Sequence, residues 1–472
     1  MKKSLLLLTI FPFLALTSCA LVNDPSNSID PSYSSGNSTD SSYSSGNNEK
    51  TSNYSNTFKP GKNVVLLKAV PEAQRVSNEE ISNTNYTVFQ AKYNEFASMV
   101  SDDYFKYYKD QNVGKNTTIS PLSLYFATAQ AASCAAGDTE RELFDFINVN
   151  KSEAEQYSPT LFKSCNEVYE YEGNVVGRQE LNNSLWFEQS LKLNDEGLNT
   201  LVNSYYCEPY AADFINQYQD ISKKFNSFLK DKTRGLIDPK FEFSYLTRLV
   251  IANTLYMKDN WKEFGELDKT AVKEFINSDN SVTEKQFLSG NYAAGLAYED
   301  ENVRSFTSTT FDGFSLRFIV PKGNKTINEV FTKENLSKIR NAKVVTHSDD
   351  DKVLYQTRCI FPEFTAESNE ELTKFYQSRG VKTLFDNRCD MSNILAKDED
   401  TKVACSSITH IAKLKVEPKG IEGAAITVMI FDKSSYEPRE TKYFDFVVDR
   451  SFGFEITNRY GVSLFTGIVN KI

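Results

Sequence analysis

Few side chains in this chain could act as acid–base catalysts or activated nucleophiles. The sequence contains only two histidines, His347 and His410, and a catalytic serine or cysteine usually needs such a base beside it. His347 lies in the polar stretch THSDDDK, which predicts a solvated loop, and His410 precedes a predicted strand. No GxSxG motif provides a nucleophile. We therefore do not expect a histidine-assisted hydrolase.

Two short motifs match catalytic or phosphate-binding patterns only in part. Ser227 and Lys230 form an SxxK pattern like that of penicillin-recognising enzymes, but no KTG motif follows it. The GNKT sequence from Gly323 to Thr326 lacks the spacing of a phosphate-binding loop. No CxxC pair is present, so a structural zinc site is not expected. We predict neither a metal nor another cofactor.

The composition indicates a large folded domain with an acidic surface. The chain has 472 residues, of which 13% are aromatic and 25% are charged, and such a chain can bury a substantial core. Its formal net charge is −10. Because nucleic-acid binding usually requires a basic surface, we expect no nucleic-acid partner. The same charge disfavours a polyanion site.

The segment from Gly420 to Phe431 reads as a strand whose charges fall on one side. Alternate side chains of a strand point to opposite faces. The face without charges would contain Ile421, Gly423, Ala425, Thr427, Met429 and Phe431. Such a face could pass between two packed strands without burying an ionised group. The carboxylate of Glu422, on the other face, is expected to remain in water.

The remaining C-terminal sequence predicts a polar loop followed by a β-rich module. Asp432 to Lys442 is almost entirely polar and predicts an exposed loop. Strands are predicted from Tyr443 to Val448, from Phe452 to Thr457 and from Val462 to Val469. Residues 458–461 would form the hairpin turn between the last two strands.

From about residue 84 to residue 472, separated motifs resemble those of the serpin family in the family's order. They are Ile119 to Ser123, Asn183 to Phe187, Phe225 to Leu229 with Thr233, Gly235 and Ile237, Leu249 to Lys258 with Trp261 and Phe264, Phe314 to Pro321, Phe361 to Phe364, Gly380 to Ser392, and His410. A first helix is expected around Thr87 to Tyr108. The resemblance implies an α+β serpin fold, with three β-sheets surrounded by eight to nine helices and an exposed reactive-centre loop near the C-terminus.

The resemblance assigns roles within this loop. The hinge that would enter the large sheet first comprises Gly420, Ile421, Glu422, Gly423, Ala424, Ala425, Ile426 and Thr427. The family's spacing places the reactive bond between Ser434 and Ser435, with Lys433, Tyr436 and Arg439 as alternatives. A small residue at the bond suits elastase-like or subtilisin-like proteases, whereas a lysine suits trypsin-like ones.

A second set of residues resembles the family's polar cluster beneath the large sheet. Its members are Ser120, Ser123, Asn253 and His410. Their hydrogen bonds would rearrange as the strands part, and a buried polar group left unpaired costs about 1–3 kcal/mol. Trp261 is expected to pack where the loop first inserts. The alternative for each polar residue is a purely structural role in the core.

Three residues near the loop depart from the family pattern. Pro418 replaces a usual glutamate, Ile421 a usual threonine and Ser451 a usual proline, and the loop is longer than usual on its C-terminal side. Proline has no N–H to donate to a ladder. Pro418 is therefore expected to weaken strand pairing at the base of the insertion.

The resemblance implies a suicide-substrate inhibitor of serine or cysteine proteases and not an enzyme. The protease would attack the exposed loop and form an acyl-enzyme, and the cut loop would then insert into the large sheet before the ester is hydrolysed. The alternative is a non-inhibitory serpin-fold surface protein that proteases only cleave. We expect a monomer whose partner is the target protease.

The N-terminal sequence predicts export and a lipid anchor. Residues 1–19 have two lysines, a short apolar run and LTSC, which resembles a bacterial lipobox with Cys19 as the lipidated residue. An ordinary signal peptide with an incidental cysteine is the alternative. Residues 20–60, rich in serine and asparagine, predict a disordered tether to the serpin domain of residues 61–472. A flexible chain of about 35 residues spans on the order of 30 Å. We expect a surface lipoprotein held to the membrane by Cys19.

Six further cysteines leave the disulfide state open. They are Cys134, Cys165, Cys207, Cys359, Cys389 and Cys405. Export permits disulfides, but the serpin fold does not depend on them. Buried free thiols are the favoured interpretation.

Overall fold

The computed structural model describes residues 60–171, 174–261, 267–293, 295–296, 298–342, 345–346, 353–422 and 440–472. All of them belong to one unit, which extends from residue 54 to residue 472.

Ten α-helices lie in these ranges. They are α1 (Asn78–Ser82), α2 (Thr84–Tyr107), α3 (Pro121–Cys134), α4 (Gly137–Phe146), α5 (Lys151–Ser164), α6 (Asp195–Tyr205), α7 (Phe214–Lys232), α8 (Ile327–Val330), α9 (Lys333–Asn341) and α10 (Thr373–Ser378). A short 3₁₀-helix spans Thr383–Phe385.

The strands of the described ranges follow in chain order. They are β1 (Val64–Leu66), β2 (Thr117–Ile119), β3 (Glu167–Tyr171), β4 (Asn174–Glu188), β5 (Cys207–Ala212), β6 (Leu249–Asn260), β7 (Asp268–Ile276), β8 (Val282–Ala293), β9 (Gly295–Leu296), β10 (Tyr298–Glu299), β11 (Val303–Thr309), β12 (Ser315–Pro321), β13 (Val345–Thr346), β14 (Val353–Pro362), β15 (Phe364–Glu371), β16 (Thr409–Glu417), β17 (Gly420–Ile421), β18 (Glu440–Val447), β19 (Phe452–Thr457) and β20 (Ser463–Val469).

The large sheet contains the strand that begins the predicted hinge. Its order is β1-β5-β4-β6-β17-β16-β15, and β3 pairs with β4. The two-residue strand β17 is antiparallel to both β6 and β16. Within the part of the chain that the structure describes, no ladder joins β6 directly to β16. The first two hinge residues, Gly420 and Ile421, therefore lie between two long strands that run parallel to each other.

Two further sheets and one ribbon complete the β-structure. A six-stranded sheet has the order β10-β11-β12-β19-β20-β2, a four-stranded sheet has the order β18-β14-β8-β7, and β9 pairs with β13. The predicted α+β fold with three main sheets is confirmed. The described helices number ten instead of eight to nine, because short helices of four to six residues, such as α8 and α10, are included.

Apolar packing lies on both faces of the large sheet. On one face, α3 contacts both β6 and β20 within the main core. On the other face, α7 packs Phe225 and Phe228 edge-on against Trp186 of β4. Helices thus cover both faces of the large sheet at β4 and β6.

Several predicted boundaries match and others shift. β19 spans the predicted residues and the 458–461 turn is present, and α2 begins a few residues before Thr87. The polar loop was predicted to end at Lys442, but β18 begins at Glu440 because it pairs with β14. His410 lies inside β16 and not before it.

Candidate functional site

The hinge begins as a tight hairpin between β16 and β17. Glu417 is paired with Gly420 and Val416 with Ile421. The Glu422 N–H then donates a hydrogen bond to the Lys415 carbonyl at 3.0 Å. The chain has therefore reversed direction before it leaves residue 422, and residues 420–422 run back along β16.

Gly420 allows the hinge backbone to approach β6 closely. It pairs with Asn260, and Ile421 pairs with Asp259. A Cβ atom at Gly420 would lie 2.1 Å from the Asp259 carbonyl oxygen. Because no side chain tolerates such a contact with backbone, this position requires glycine.

Pro418 occupies the corner of the hairpin turn. Pro418 and Lys419 form the two-residue turn, so Pro418 has no partner in the β16–β17 ladder. Its missing N–H costs no ladder hydrogen bond, and proline at the second and glycine at the fourth position favour a type I turn. The Leu267 N–H donates to the Pro418 carbonyl at 2.7 Å. The expectation that Pro418 weakens this pairing is wrong, since proline favours the chain reversal.

Ile421 and Trp261 occupy buried positions beside the hairpin. Ile421 has no exposed surface. Trp261 is also buried, packs against Phe361 and donates its Nε1–H to the Glu417 carbonyl at 2.9 Å. The indole thus holds the last residue of β16, next to the turn. Ser451, the third departure, donates its N–H to the Ile276 carbonyl at 3.0 Å, a bond that proline could not make.

Glu422 does not remain in water as its strand parity predicted. Its side chain lies partly buried against Tyr256 and Lys258, and burial raises the pKa of its carboxyl. Its backbone has φ +50°, so the residue that follows β17 is left-handed. Arg234, after α7, lies over the Tyr256 ring and bonds Glu180. The chain therefore leaves β17 beside a cluster of charged groups, Glu422, Lys258, Arg234 and Glu180, on one face of the large sheet.

Ser120, Ser123 and His410 lie together beneath the large sheet. The Ser120 N–H donates to His410 Nε2 at 3.1 Å, and the Ser120 hydroxyl caps α3 by accepting from the Ser123 N–H at 3.2 Å. Burial lowers the pKa of His410 to about 4. The imidazole is therefore neutral at physiological pH, which its role as acceptor requires.

Asn253 bonds to a residue that sequence reasoning missed. Its Nδ2–H donates to Asn183 Oδ1 at 2.6 Å, and Asn183 in turn donates to the Tyr205 carbonyl at 2.7 Å. Asn253 Oδ1 is buried and has no hydrogen-bond partner among the described residues. Asn183 lies in a motif that the sequence already marked, but its position opposite Asn253 depends on strand register.

The other candidate motifs show no site geometry. Ser227 and Lys230 are exposed on α7. An SDN triplet, the other motif of penicillin-recognising enzymes, occurs at residues 278–280 but lies in the β7–β8 turn of another sheet. The six cysteines of the described chain are free thiols. A search of the described residues finds no metal-binding cluster and no helix able to span a membrane.

Several predicted site residues lie outside the described residues. They are Cys19, His347, Gly423, Ala424, Ala425, Ile426, Thr427, Lys433, Ser434, Ser435, Tyr436 and Arg439. Their assignments stay predictions.

Comparison with known proteins identifies the family. The family model described as Serpin (serine protease inhibitor) matches residues 93–472. Iripin-1 of Ixodes ricinus is 25% identical over 369 residues, covering 76% of this chain and 89% of that protein. An uncharacterised serpin-like protein of Methanosarcina acetivorans is 26% identical over 373 residues, covering 76% and 82%.

Solved structures share the fold at lower identity. The thermophilic serpin tengpin in its native state has a TM-score of 0.65 at 18% identity, covering 87% of this chain and all of tengpin. Thyroxine-binding globulin in complex with thyroxine has a TM-score of 0.64 at 18% identity, covering 81% and 98%. The chain belongs to the serpin family.

Proposed function

We propose that this protein inhibits serine or cysteine proteases as a suicide substrate, by inserting its cleaved reactive loop into the large sheet. The β16–β17 hairpin carries the proposal. It starts the loop between β6 and β16, antiparallel to both, in the direction that an inserted strand must take. For the chain to continue between them, Glu422 would change from its left-handed conformation to an extended one.

The register of β17 defines what the inserted strand would meet. Because β17 is antiparallel to both neighbours, each residue further along the loop would pair with the residue one position earlier on β6 and one position earlier on β16. Continued from Ile421 in this register, the strand would bring Thr427 between Asn253 and His410. The unpartnered Oδ1 of Asn253 could then accept the threonine hydroxyl. Insertion would thus satisfy a buried polar atom that is unpaired before it.

Chemically, the protease's nucleophile would attack the carbonyl of Ser434, if the reactive bond is the one predicted. The peptide bond to Ser435 would break, an ester or thioester to Ser434 would form, and the amine of Ser435 would leave with a proton. The C-terminal fragment would stay bound, because β18, β19 and β20 pair with strands of other sheets. The N-terminal part of the loop would be free to insert and to carry the protease with it.

The burial of Ile421 at the start of the hinge supports insertion as the energetic driving step. Burying apolar surface stabilises by roughly 25 cal/mol per Å², and the loop's uncharged parity can follow Ile421 into the core without an ionised group. The alternating pattern continues through Phe431. An inserted loop would therefore be more stable than an exposed one.

We also propose that the protein is exported and works at the cell surface as a monomeric lipoprotein anchored through Cys19. The support is the lipobox-like LTSC sequence and the polar segment before the folded unit. Metabolic labelling with a palmitate analogue would test it. Labelling of the natural chain and not of Cys19→Ser is expected; equal labelling of both would contradict the anchor.

Loop insertion can be tested without knowing the target protease. The soluble domain, residues 60–472, is nicked in the loop by limited proteolysis and its melting temperature is compared with that of the intact form. An inserting serpin should become markedly more heat-stable after the cut. Thr427→Arg should abolish this gain, whereas Lys419→Arg, at the exposed turn, should keep it. A nicked natural domain without any gain would favour the non-inhibitory alternative.

A further inference from the structure

Two carboxyl groups meet at the upper end of β6, directly behind the hinge. Asp259 is the penultimate residue of β6, and Asp312 lies in the turn between β11 and β12. The Asp312 N–H donates to Asp259 Oδ2 at 2.9 Å. Asp259 has no exposed surface. Both carboxyls lie against Gly177, where a Cβ atom would be 1.9 Å from Asp312 Oδ2 and 3.0 Å from Asp259 Oδ1.

The contact between the two side chains favours a proton. The carboxyl groups adjoin each other at Gly177, where two ionised carboxylates would repel each other and neither could donate a hydrogen bond to the other. Asp312 Oδ2 is buried and receives no hydrogen bond from another described group. Burial, followed by the neighbouring charge of Asp312, raises the pKa of Asp259 to about 8. Burial raises the pKa of Asp312 as well.

The surrounding charges stabilise one negative charge on the pair and not two. Arg459 donates Nε–H to the Asp312 carbonyl at 3.1 Å and favours an ionised Asp312. Glu167 of β3 opposes it, although Glu167 is itself paired with Arg75. The Thr310 hydroxyl, just after β11, lowers the pKa of Asp259 and donates a hydrogen bond to the Phe314 carbonyl at 3.2 Å.

The neighbouring charged residues of the hinge lie on the other side of the strand. Successive side chains of β6 point to opposite faces. Lys258 therefore points away from the Asp259 carboxyl, and its charge interacts with Glu422, Arg178, Arg234 and Glu417. Because these cationic groups lie on the opposite face, they do not compensate a second negative charge on Asp259 and Asp312.

The pair is mechanically connected to the hinge. Asp259 is paired with Ile421, and Asn260 with Gly420. The turn that carries Asp312 is tied to the same end of β6 by the Phe311 N–H, which donates to the Asn260 carbonyl at 2.8 Å. A repulsion that separates this turn from β6 therefore acts on the backbone that pairs with the hinge.

We propose that Asp259 and Asp312 share one proton and that its release weakens the pairing of Gly420 and Ile421 with β6, which makes the hinge sensitive to pH. The consequence for inhibition rests on the proposed function, whereas the shared proton and the opening of the hairpin do not. As the pH rises, the second ionisation places two like charges in contact. The hinge would then open more often and the loop would insert in a less defined register.

The sign of the effect follows from the raised pKa. The stability that this protonated carboxyl contributes is fully present below its unfolded value of 3.8 and is lost as the pH rises to about 8. One proton gives at most about a tenfold change in the unfolding equilibrium constant per pH unit. The difference between the natural chain and a variant isolates this contribution from other titrating groups.

The experiment compares the natural full-length chain with Asp259→Asn and with Asp398→Asn, a control at an exposed carboxylate. Infrared difference spectra between about pH 6 and about pH 9 should show one protonated carboxyl titrating in the natural chain and in the control. Asp259→Asn should lack it. If Asp259→Asn does not fold, Asp312→Asn serves in its place. A natural chain with no carboxyl titrating in this range would overturn the proposal.

Hydrogen exchange at Glu422 tests whether the ionised pair weakens the hinge. After correction for the base-catalysed intrinsic rate, the frequency at which the Glu422 hydrogen bond opens should rise with pH in the natural chain, by at most about tenfold per pH unit. In Asp259→Asn this frequency should not rise. Equal pH dependence in both proteins would contradict the link to the hinge. An assay for covalent protease complexes at about pH 6 and about pH 9 distinguishes failure of the shared proton from failure of the proposed function. If the protein forms no complex at either pH but its carboxyl pair still titrates, only the proposed function is refuted.

Discussion

Ile421 lies directly opposite Asp259 in the large sheet, with its side chain fully buried and its backbone paired to two strands at once. This single residue marks where the loop has already joined the sheet. Everything proposed for inhibition extends the strand that begins here.

A charge at Ala425 should block insertion. Continued from Ile421 in the register of β17, the inserted strand would place Ala425 between Leu255 and Ala412, which are both buried, and an unpaired buried charge costs several kcal/mol. We expect Ala425→Arg to be cleaved as a substrate, with the ratio of cleaved to complexed protein raised more than about tenfold. Lys419→Gln, at the exposed turn, is the control and should leave this ratio unchanged. Unaltered complex formation by Ala425→Arg would refute this register.

The indole hydrogen bond of Trp261 should matter for the hinge beyond its effect on stability. Trp261→Phe keeps an aromatic ring but removes the bond to the Glu417 carbonyl, which is worth about 1 kcal/mol. Trp186→Phe removes a comparable buried bond to Ser184 and is the matched control. Both variants should lose similar stability in urea unfolding. Only Trp261→Phe should slow loop insertion, and equal insertion rates would contradict the assignment.

Pro418 should favour the hairpin instead of opposing it. Replacing it by alanine increases the conformational entropy of the unfolded chain and should therefore lower the stability of the hairpin by about 0.4–1 kcal/mol. The measurement is amide exchange at Glu422, whose N–H bonds Lys415. Lys419→Ala changes the other corner of the same turn and should have a smaller effect. Slower exchange in Pro418→Ala would restore the view that proline weakens this pairing.

His410 should make the fold sensitive to acid. Its folded pKa of about 4 lies below the ordinary value of 6.5, so its contribution is complete above 6.5 and is lost as the pH falls through 4. The loss should approach about 3 kcal/mol. Urea unfolding of His410→Gln, compared with the natural chain, should lack this loss. His347→Gln is the control and should show the same loss as the natural chain. If the difference in unfolding free energy between the natural chain and His410→Gln does not change with pH, the burial of His410 is contradicted.

The buried carboxylate of Glu455 should be essential for folding stability. It has no exposed surface and is paired with both Arg317 and Arg340. Glu455→Gln would leave two partly buried guanidinium groups without their counter-charge, at a cost of about 3–5 kcal/mol. Asp386→Asn breaks the exposed pair with Arg388 and should cost far less stability, because solvent screens an exposed ion pair. Similar melting temperatures for both variants would count against the ion cluster.

The sequence was sufficient for the features that local pattern encodes. Alternation of apolar and polar residues indicated the start of the strand at Gly420 and Ile421, although the described chain leaves the extended conformation at Glu422. Turn residues indicated the 458–461 hairpin. The motif at Ile119 to Ser123 indicated the start of α3, where Ser120 caps the helix. Each of these depends on residues close together in the chain.

The features that sequence reading missed depend on distant strands coming together. Glu422 is partly buried because Tyr256 and Lys258 of β6 lie beside it. Asn183 faces Asn253 only through the register of β4 and β6. The proximity of Asp259 and Asp312 likewise follows from how a turn packs on a strand end. None of these contacts leaves a periodic pattern in the sequence.

Pro418 was misjudged for a related reason. A proline near a strand predicts a lost ladder bond if the strand continues through it. Here the strand stops one residue earlier and the chain turns back, so the ladder contains Glu417 and Gly420 instead. The difference of one residue reverses the expected effect.

Mixing the domain of residues 60–472 with elastase-, subtilisin-, trypsin- and papain-like proteases tests the central claim most directly. Denaturing gels report covalent complexes, and sequencing of the released C-terminal peptide locates the cut. The account predicts a band at the summed mass with at least one protease and a new N-terminus at Ser435, or after Lys433, Tyr436 or Arg439. Complete cleavage in this loop by every protease without any such band would contradict inhibition by loop insertion.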